Sequence, residues 1–200
     1  RADGEDFPLA DVFENLARIL SVTDLPVTID MESGYGADPA SVGASVARAR
    51  AAGAAGINME DRMPGRNDLL PIGEAQARYR AAADTGIFVN ARCDVFRGAD
   101  AAKDGDRLVA AVLERARAYA DAGAGSLFVP FLGDARCIGA ICAASPLPVN
   151  ILRAKAGPTH AELAALGVAR ISHGHQPWAA AMAWLTGQAQ QVLGGGEPDY

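Results

Sequence analysis

The sequence predicts an α/β protein, a (β/α)8 TIM-type barrel in which six of the eight strand–helix units are evident. Apolar runs rich in Val, Ile and Phe alternate with alanine- and arginine-rich stretches of helical spacing, which requires a parallel sheet. The runs are apolar on one face and polar on the other, as in a barrel wall. The alternative is an open doubly wound sheet, whose strands are apolar on both faces and whose first strand precedes a glycine fingerprint that this chain lacks.

Six strands and seven helices are predicted from these periodicities. The strands cover residues 26–32, 56–61, 87–95, 126–131, 148–152 and 168–174. The helices cover residues 9–20, 41–52, 74–83, 107–122, 135–143, 159–166 and 177–193. The strand starts are about 28 residues apart, as barrel units require. We expect one barrel domain over residues 1–193, the two remaining units before Arg1, and a flexible tail over 194–200.

Residues at the predicted helix ends support these boundaries. Asp38 followed by Pro39 is an N-cap with proline at the first helical position, and Thr159 with Glu162 has capping-box spacing. Gly53, Gly123 and Gly167 follow helices where a left-handed residue turns the chain back toward the next strand.

Composition excludes several classes of protein. Half of the 200 residues are apolar and the net charge is -6, so the chain is not disordered. Basic residues are scattered singly, which argues against a nucleic-acid partner, and no apolar stretch is long enough to span a membrane. Cys93, Cys137 and Cys142 form no metal or disulfide pattern and are expected to be small buried hydrophobes. We expect a cytoplasmic protein.

Charged side chains share the polar face where three successive predicted strands end. Asp30 and Glu32 end the first strand, Glu60 ends the second, and Arg92 lies near the end of the third. Clustered carboxylates repel one another in a low-dielectric site, and a hard cation such as Mg2+, or Mn2+, relieves that repulsion. The alternative is a buried ion-pair network of these acids with Arg92 and Arg97.

Five segments together resemble the isocitrate lyase and phosphoenolpyruvate mutase superfamily. They are PVTIDMESGYG at 26–36, GINMED with Arg62 at 56–62, VNARCDVF at 89–96, AGAGSLFVP at 122–130 and GVARISHG at 167–174. The resemblance implies a barrel enzyme that uses Mg2+ to bind a 2-oxo acid and to stabilise its enolate while a C–C or P–C bond is made or broken.

The resemblance also implies roles for individual residues. Asp30 matches the direct metal ligand, Glu32 and Glu60 match acids that hold the metal through water, and Arg92 matches the clamp for the substrate anion. Asp30, Glu60 and Arg92 are therefore the expected catalytic residues. The expected substrate contacts, besides Arg92, are Gly34, Tyr35, Gly36, Asn67, Asn150 and Ser172.

One loop departs from the lyase branch of the superfamily. Residues 62–68 lack the cysteine that is the expected proton donor there, which argues against isocitrate cleavage, while Arg66 and Asn67 are similar to a gating stretch of the mutase and hydrolase branch. We expect a Mg2+-dependent lyase or decarboxylase for a small 2-oxo acid or oxaloacetate-like dicarboxylate. The alternatives are a phosphonopyruvate-type P–C mutase or hydrolase, and a non-catalytic relative that binds 2-oxo acids.

Three further features suggest other roles. His173 and His175 have a metal-compatible spacing, but a polar role at the barrel mouth is the preferred interpretation. Lys155 follows the fifth predicted strand and would be the Schiff-base lysine of an aldolase of a different mechanism. The superfamily commonly exchanges its last helix between subunits, so the resemblance implies a homodimer or homotetramer.

Overall fold

The computed structural model describes residues 5–200, so the predicted start of the domain at residues 1–4 lies outside the described part. Within residues 5–200, six strands form one sheet, and they are β1 (Thr28–Asp30), β2 (Gly56–Glu60), β3 (Phe88–Arg92), β4 (Ser126–Val129), β5 (Val149–Leu152) and β6 (Arg170–Ser172). The α-helices are α1 (Leu9–Leu20), α2 (Pro39–Ala51), α3 (Ile72–Ala83), α4 (Ala101–Asp121), α5 (Ala135–Ala144), α6 (His160–Ala165) and α7 (Gln176–Leu193). A short 3-10 helix, Asp94–Phe96, follows β3.

The strand order excludes the doubly wound alternative. The six strands pair in chain order from β1 to β6, and every pairing is parallel. A doubly wound sheet reverses its order at a switch point, whereas a barrel wall adds each strand beside the one before. The sheet curls into a half-barrel with alternating helices, which confirms the predicted partial TIM-type fold.

The two faces of the sheet differ as the alternation predicts. On the outer face, Ile57, Met59, Val89 and Leu127 are at most 1% exposed, because the helices pack against them. On the inner face, polar side chains bond directly across strands. Asn90 Nδ2 donates to Asn58 Oδ1 (2.7 Å), and Ser126 Oγ donates to Asn90 Oδ1 (2.6 Å).

Local capping fixes most helix boundaries. The α1 helix covers the predicted range, and the Thr159–Glu162 capping box is present at α6. The α4 helix begins at Ala101, six residues before the prediction of 107, because Asp100 accepts from the Ala102 and Lys103 N–H groups and caps it there. Gly53 and Gly123 have φ of +99° and +92°, confirming the predicted left-handed turns.

The last helix packs little against the rest of the chain. Gln188 is its one buried residue, and Trp178 and Trp184 are 66% and 53% exposed. The tail returns to this helix, where the Asp199 N–H donates to Gln188 Oε1 at 2.6 Å. Within residues 5–200, no helix combines the length and apolarity needed to cross a bilayer.

Candidate active site

A cavity of about 470 Å³ opens at the carboxyl ends of β2 and β3. Four acids and three arginines line it together with two loop residues; the nine are Glu5, Asp6, Glu32, Glu60, Arg62, Pro64, Gly65, Arg92 and Arg97. Active sites of TIM barrels lie at this end of the strands. The structure therefore brings the predicted Glu32, Glu60 and Arg92 to one cavity.

Arg92 joins two carboxylates at the edge of this cavity. Its Nε donates to Asp94 Oδ1 (2.7 Å) and its Nη2 to Asp94 Oδ2 (2.9 Å), while its Nη1 lies 2.7 Å from Glu60 Oε2. The two-pronged edge of the guanidinium is thus bound to Asp94, and a substrate anion would meet the remaining Nη N–H groups. The ion-pair alternative holds for Glu60 and Arg92. Sequence reasoning missed Asp94, although it lies two residues after Arg92 on the same face.

Burial changes the protonation of Glu60. The side chain is 9% exposed, and its burial raises the pKa from 4.5 to about 7, against the lowering effect of Arg92 and with a further increase from Asp94 and Asp30. For Arg92, burial opposes the charge, but the Asp94 hydrogen bonds and both carboxylates raise its pKa above the ordinary value. Glu60 can therefore exchange a proton near neutral pH while Arg92 stays charged.

Asp61, next to Glu60, points away from the cavity into the core. Its Oδ1 accepts from the Asp94 N–H (2.9 Å), and its Oδ2 accepts from Tyr119 Oη (2.6 Å) and Arg115 Nη1 (3.2 Å). Arg115 also donates to the Leu70 carbonyl. This network fixes the backbone of Asp94 and, through it, the position of Arg92.

Asp30 and Glu32 lie beside each other at the end of β1. The Glu32 N–H donates to Asp30 Oδ1 (3.0 Å), the Glu60 N–H donates to the Glu32 carbonyl (2.7 Å), and Glu32 has a φ of +47°. Among residues 5–200, no group of three or more His, Cys, Asp or Glu side chains is arranged so that it could hold a metal ion. Assignment of Asp30, Glu32 and Glu60 as a ligand set stays a prediction.

The donor chemistry of these acids nonetheless fits Mg2+. Carboxylate oxygens are the ligands that this ion prefers, and it usually keeps several waters while one or two protein carboxylates hold it. Glu32 and Glu60 line one cavity with room for those waters. A compact cage of three side chains is therefore not required for the ion to bind.

The loop after β1 is held in place from two sides. Arg78, which is 1% exposed, donates to the carbonyls of Ser33 (3.0 Å), Gly36 (2.7 Å) and Ala37 (3.3 Å). Glu5 Oε1 accepts from the Ser33 N–H (3.2 Å) and Oγ (2.6 Å) and from the Tyr35 N–H (2.9 Å). Neither Arg78 nor Glu5 was expected from the sequence, because both contacts span nearly 30 residues or more.

Packing explains the glycines of this loop. A Cβ on Gly34 would lie 2.9 Å from Val42, and a Cβ on Gly36 would lie 2.5 Å from the Val42 nitrogen. Tyr35 Oη donates to the Phe7 carbonyl at 3.0 Å. Substrate contacts from Gly34, Tyr35 and Gly36 stay predictions, since none of the three lines the cavity.

The other expected substrate residues lie outside this cavity. Asn67 is exposed in the 62–69 loop, whereas Pro64 and Gly65 of that loop line the cavity. Asn150 is 1% exposed on β5, in register with Phe128, and its Oδ1 has no hydrogen-bond partner among residues 5–200. Ser172 ends β6, which is the third strand beyond β3 in the sheet. Their roles also stay predictions.

The alternative chemistries find less support. The Nε2 atoms of His173 and His160 lie 3.2 Å apart, so His173 pairs with a residue of α6. Lys155 is exposed in the loop after β5, whereas a Schiff-base lysine is activated in a desolvated pocket. Cys93 and Cys137 are buried and Cys142 is half-buried, and all three are free.

Comparisons with known proteins identify the family of this chain. A family model for phosphoenolpyruvate phosphomutase matches residues 1–193. An oxaloacetate decarboxylase of Rhodopseudomonas palustris (strain BisA53) is 32% identical over 204 residues, covering 95% of this chain and 66% of that protein. The chain thus spans about two thirds of the length of this relative.

Solved structures give the same result. A Burkholderia cenocepacia J2315 protein, provisionally assigned as a phosphonomutase, has a TM-score of 0.91 at 48% identity over 94% of this chain and 78% of its own. Phosphonopyruvate hydrolase has a TM-score of 0.78 at 26% identity over 95% of this chain and 68% of its own. Members of the superfamily are carbon–carbon lyases and mutases that generally depend on Mg2+. The chain therefore belongs to the phosphoenolpyruvate phosphomutase family, within the phosphoenolpyruvate mutase/isocitrate lyase superfamily.

Proposed function

We propose that this chain carries the active site of a Mg2+-dependent lyase or decarboxylase that acts on a small 2-oxo acid or an oxaloacetate-like dicarboxylate through an enolate. One observation carries the proposal: Glu60, paired with Arg92, shares a cavity with Glu32 at the carboxyl ends of neighbouring strands. Acids for a hard cation and a guanidinium for an anion thus lie side by side. The identity to an oxaloacetate decarboxylase supports this substrate class.

Each residue has a role that follows from its contacts. Asp30, Glu32 and Glu60 would hold the Mg2+, which when bound supplies Lewis-acid stabilisation of charge that develops on the 2-oxo oxygen. Arg92, fixed by Asp94, orients the substrate carboxylate with the N–H groups that Asp94 does not occupy. Without the metal, burial raises the pKa of Glu60 to about 7, and a cation held by this carboxylate would lower that pKa and keep the group ionised.

The proposal is tested with the full-length protein, Mg2+ and three substrates: oxaloacetate, phosphonopyruvate and 2-methylisocitrate. Pyruvate release from oxaloacetate is the expected result. Asp30→Ala should abolish Mg2+-dependent binding of the 2-oxo acid, measured by calorimetry with and without a chelator. Binding that is unchanged in Asp30→Ala would refute the role of this residue as a metal ligand.

A P–C mutase or hydrolase is the second candidate, because the phosphonomutase-type neighbour is 48% identical. Turnover of phosphonopyruvate alone in the same panel would support it. A non-catalytic relative that binds 2-oxo acids predicts no turnover of any substrate, with ligand still raising the melting temperature.

We further propose that α7 joins subunits of a homodimer or homotetramer in which this helix is exchanged. Its exposed Trp178, Trp184 and Leu185 support the proposal, because a partner that covers such large apolar side chains removes them from water. Light scattering of the full-length protein should give a dimer or tetramer, and Trp178→Glu with Trp184→Glu should shift it toward monomer. A wild-type monomer would overturn this assembly.

A cytoplasmic location also remains a prediction.

A further inference from the structure

Phe131 has a backbone conformation that favours glycine. The residue is the second after β4, it follows Pro130 directly, and its φ is +63°. At such angles the Cβ atom of an ordinary residue crowds the following carbonyl oxygen. A left-handed residue that follows proline in a turn is usually glycine or asparagine. Phenylalanine therefore costs stability here, and strain of this kind persists only where the surrounding structure holds it.

Burial in the core does not offset that cost. Phe131 is 48% exposed and is not part of the hydrophobic core that residues 5–200 form. The neighbouring Leu132 is 1% exposed, so it is Leu132 that anchors this loop in the core. The presence of a phenylalanine is therefore explained by what its ring contacts outside the core.

The ring lies beside two arginines that line the cavity. The guanidinium carbon of Arg92 is 5.9 Å from the centre of the Phe131 ring, and that of Arg97 is 5.4 Å from the same centre. Both distances suit a cation–π contact. Two groups of the same charge are thus held near one aromatic ring at the edge of the cavity.

This contact adds to the partners that orient the two guanidinium groups. Asp94 binds Nε and Nη2 of Arg92, and Glu60 binds Nη1. The Phe131 ring occupies space beside this guanidinium that water would otherwise fill. Arg97 depends on the ring more strongly, because its Nη1 is 3.8 Å from Asp94 Oδ2, which is beyond hydrogen-bond distance.

Other residues with strained backbone lie at the same site. Among residues 5–200, the non-glycine residues with positive φ are Glu32 (+47°), Tyr35 (+49°) and Phe131 (+63°). Glu32 lines the cavity, Tyr35 belongs to the loop after β1, and Phe131 contacts Arg92. Strained conformations cluster at active sites. The strain at Phe131 is therefore grouped with the site.

We propose that Phe131 is a positioning residue whose ring orders the guanidinium groups of Arg92 and Arg97 at the cavity and excludes water beside them, so that Arg92 binds the substrate anion more tightly. The inference rests on the proposed function, in which Arg92 orients a substrate carboxylate. A side chain that is ordered before binding loses less conformational entropy when the ligand binds. For one such side chain the gain is about two- to tenfold in affinity.

Calorimetric titration of oxalate into the full-length protein in Mg2+ tests the proposal. Oxalate is an unreactive dianion that can chelate the ion and offer oxygens to Arg92, so the measurement does not depend on whether a C–C or a P–C bond is cleaved. Phe131→Leu keeps apolar bulk without an aromatic ring and should bind oxalate about two- to tenfold more weakly than the wild type. Phe131→Trp keeps an aromatic face and should stay within about twofold of the wild type.

A second pair of variants separates positioning from folding. Phe131→Ala and Phe131→Gly both remove the ring, but only alanine keeps a Cβ atom at the strained angle. The glycine variant should therefore melt about 2–4 °C higher without ligand, and both variants should show the same loss of oxalate affinity. A merely structural role predicts that affinity follows stability, so that the glycine variant binds oxalate better than the alanine variant.

Phe88 provides the matched control. It is also 48% exposed but lies at the amino end of β3, four residues before Arg92. Phe88→Leu should leave oxalate affinity within about twofold of the wild type.

The outcomes distinguish this inference from the proposed function. Wild-type affinity in Phe131→Leu overturns the positioning role alone, and so does equal weakening in Phe131→Trp and Phe131→Leu. Higher affinity in Phe131→Gly than in Phe131→Ala also overturns it. Absence of Mg2+-dependent oxalate binding in the wild type overturns the proposed function as well.

Discussion

Glu60 and Asp61 are neighbours in the sequence, and burial raises the pKa of both, yet they lie in opposite environments. Asp61 faces the core and accepts hydrogen bonds from the Asp94 N–H, Tyr119 and Arg115. Glu60 faces the cavity, where Arg92 is its ion-pair partner. The difference arises because successive residues at a strand end point to opposite sides of the sheet.

The two environments separate a buried carboxylate that stabilises the fold from one that can bind a ligand. The acceptor positions of Asp61 are filled by protein donors, so its charge is part of the fold. Glu60 keeps an oxygen toward a polar cavity, where a cation or a proton can reach it. A charged side chain with a filled set of partners stabilises the site, whereas one with room for a ligand is free to act in it.

The largest effect that separates the two acids is expected from Asp61→Ala. The change leaves the buried Arg115 without its carboxylate and removes the acceptor of Tyr119. Loss of one partner of a buried ion pair costs about 3–5 kcal/mol. Urea unfolding of the full-length protein at pH 7 measures this loss, with Glu60→Ala as the matched truncation at the neighbouring position. If Glu60→Ala costs as much as Asp61→Ala at pH 7, the distinction drawn between the two acids is wrong.

The sequence predicted a functional role for Glu60 but no role for Asp61. Alternation along the strands predicted that Asp30, Glu60 and Arg92 share an inner face, and the register of β1, β2 and β3 agrees. Period-two and period-3.6 patterns are local, so they also predicted the strands and helices that form the half-barrel.

Contacts between distant elements were not predictable in this way. Asp61 bonds to Tyr119, 58 residues away, and in the sequence Arg115 is indistinguishable from the solvent-exposed arginines of a surface helix. The four contacts of Asp94 likewise depend on two chain segments, 61–62 and 92–97, that meet only in the fold; its partners are Arg92, Arg62, Arg97 and Asp61. Local pattern therefore predicts which face a side chain occupies, and tertiary packing decides what it meets there.

The second prediction concerns pH and isolates Glu60. The folded-state pKa of about 7 lies above the ordinary value of 4.5, so the folded protein binds this proton more tightly than the unfolded chain does. The resulting stability is present in full below pH 4.5 and is lost as the pH rises through 7. The loss is at most about 3 kcal/mol. With a chelator present to remove metal ions, the unfolding free energy of Glu60→Gln should therefore decrease less between about pH 5 and 8 than that of the wild type. An unchanged pH profile in the variant would show that Glu60 is not the titrating group.

The smallest effect is expected from Tyr119→Phe, which removes one donor from Asp61 and keeps the ring. The phenol donates to Asp61 Oδ2 at 2.6 Å and accepts from Arg115 Nη1 at 3.1 Å, and the ring packs 4.4 Å from that of Tyr79. Because Arg115 and the Asp94 N–H remain, the variant should lose about 1 kcal/mol of unfolding free energy. Tyr79→Phe is the matched control, since its hydroxyl bonds backbone carbonyls and not Asp61. A cost in Tyr119→Phe near that of Asp61→Ala would mean that the three donors act as one cooperative unit. The complete set of partners, more than any single bond, would then be what distinguishes Asp61 from Glu60.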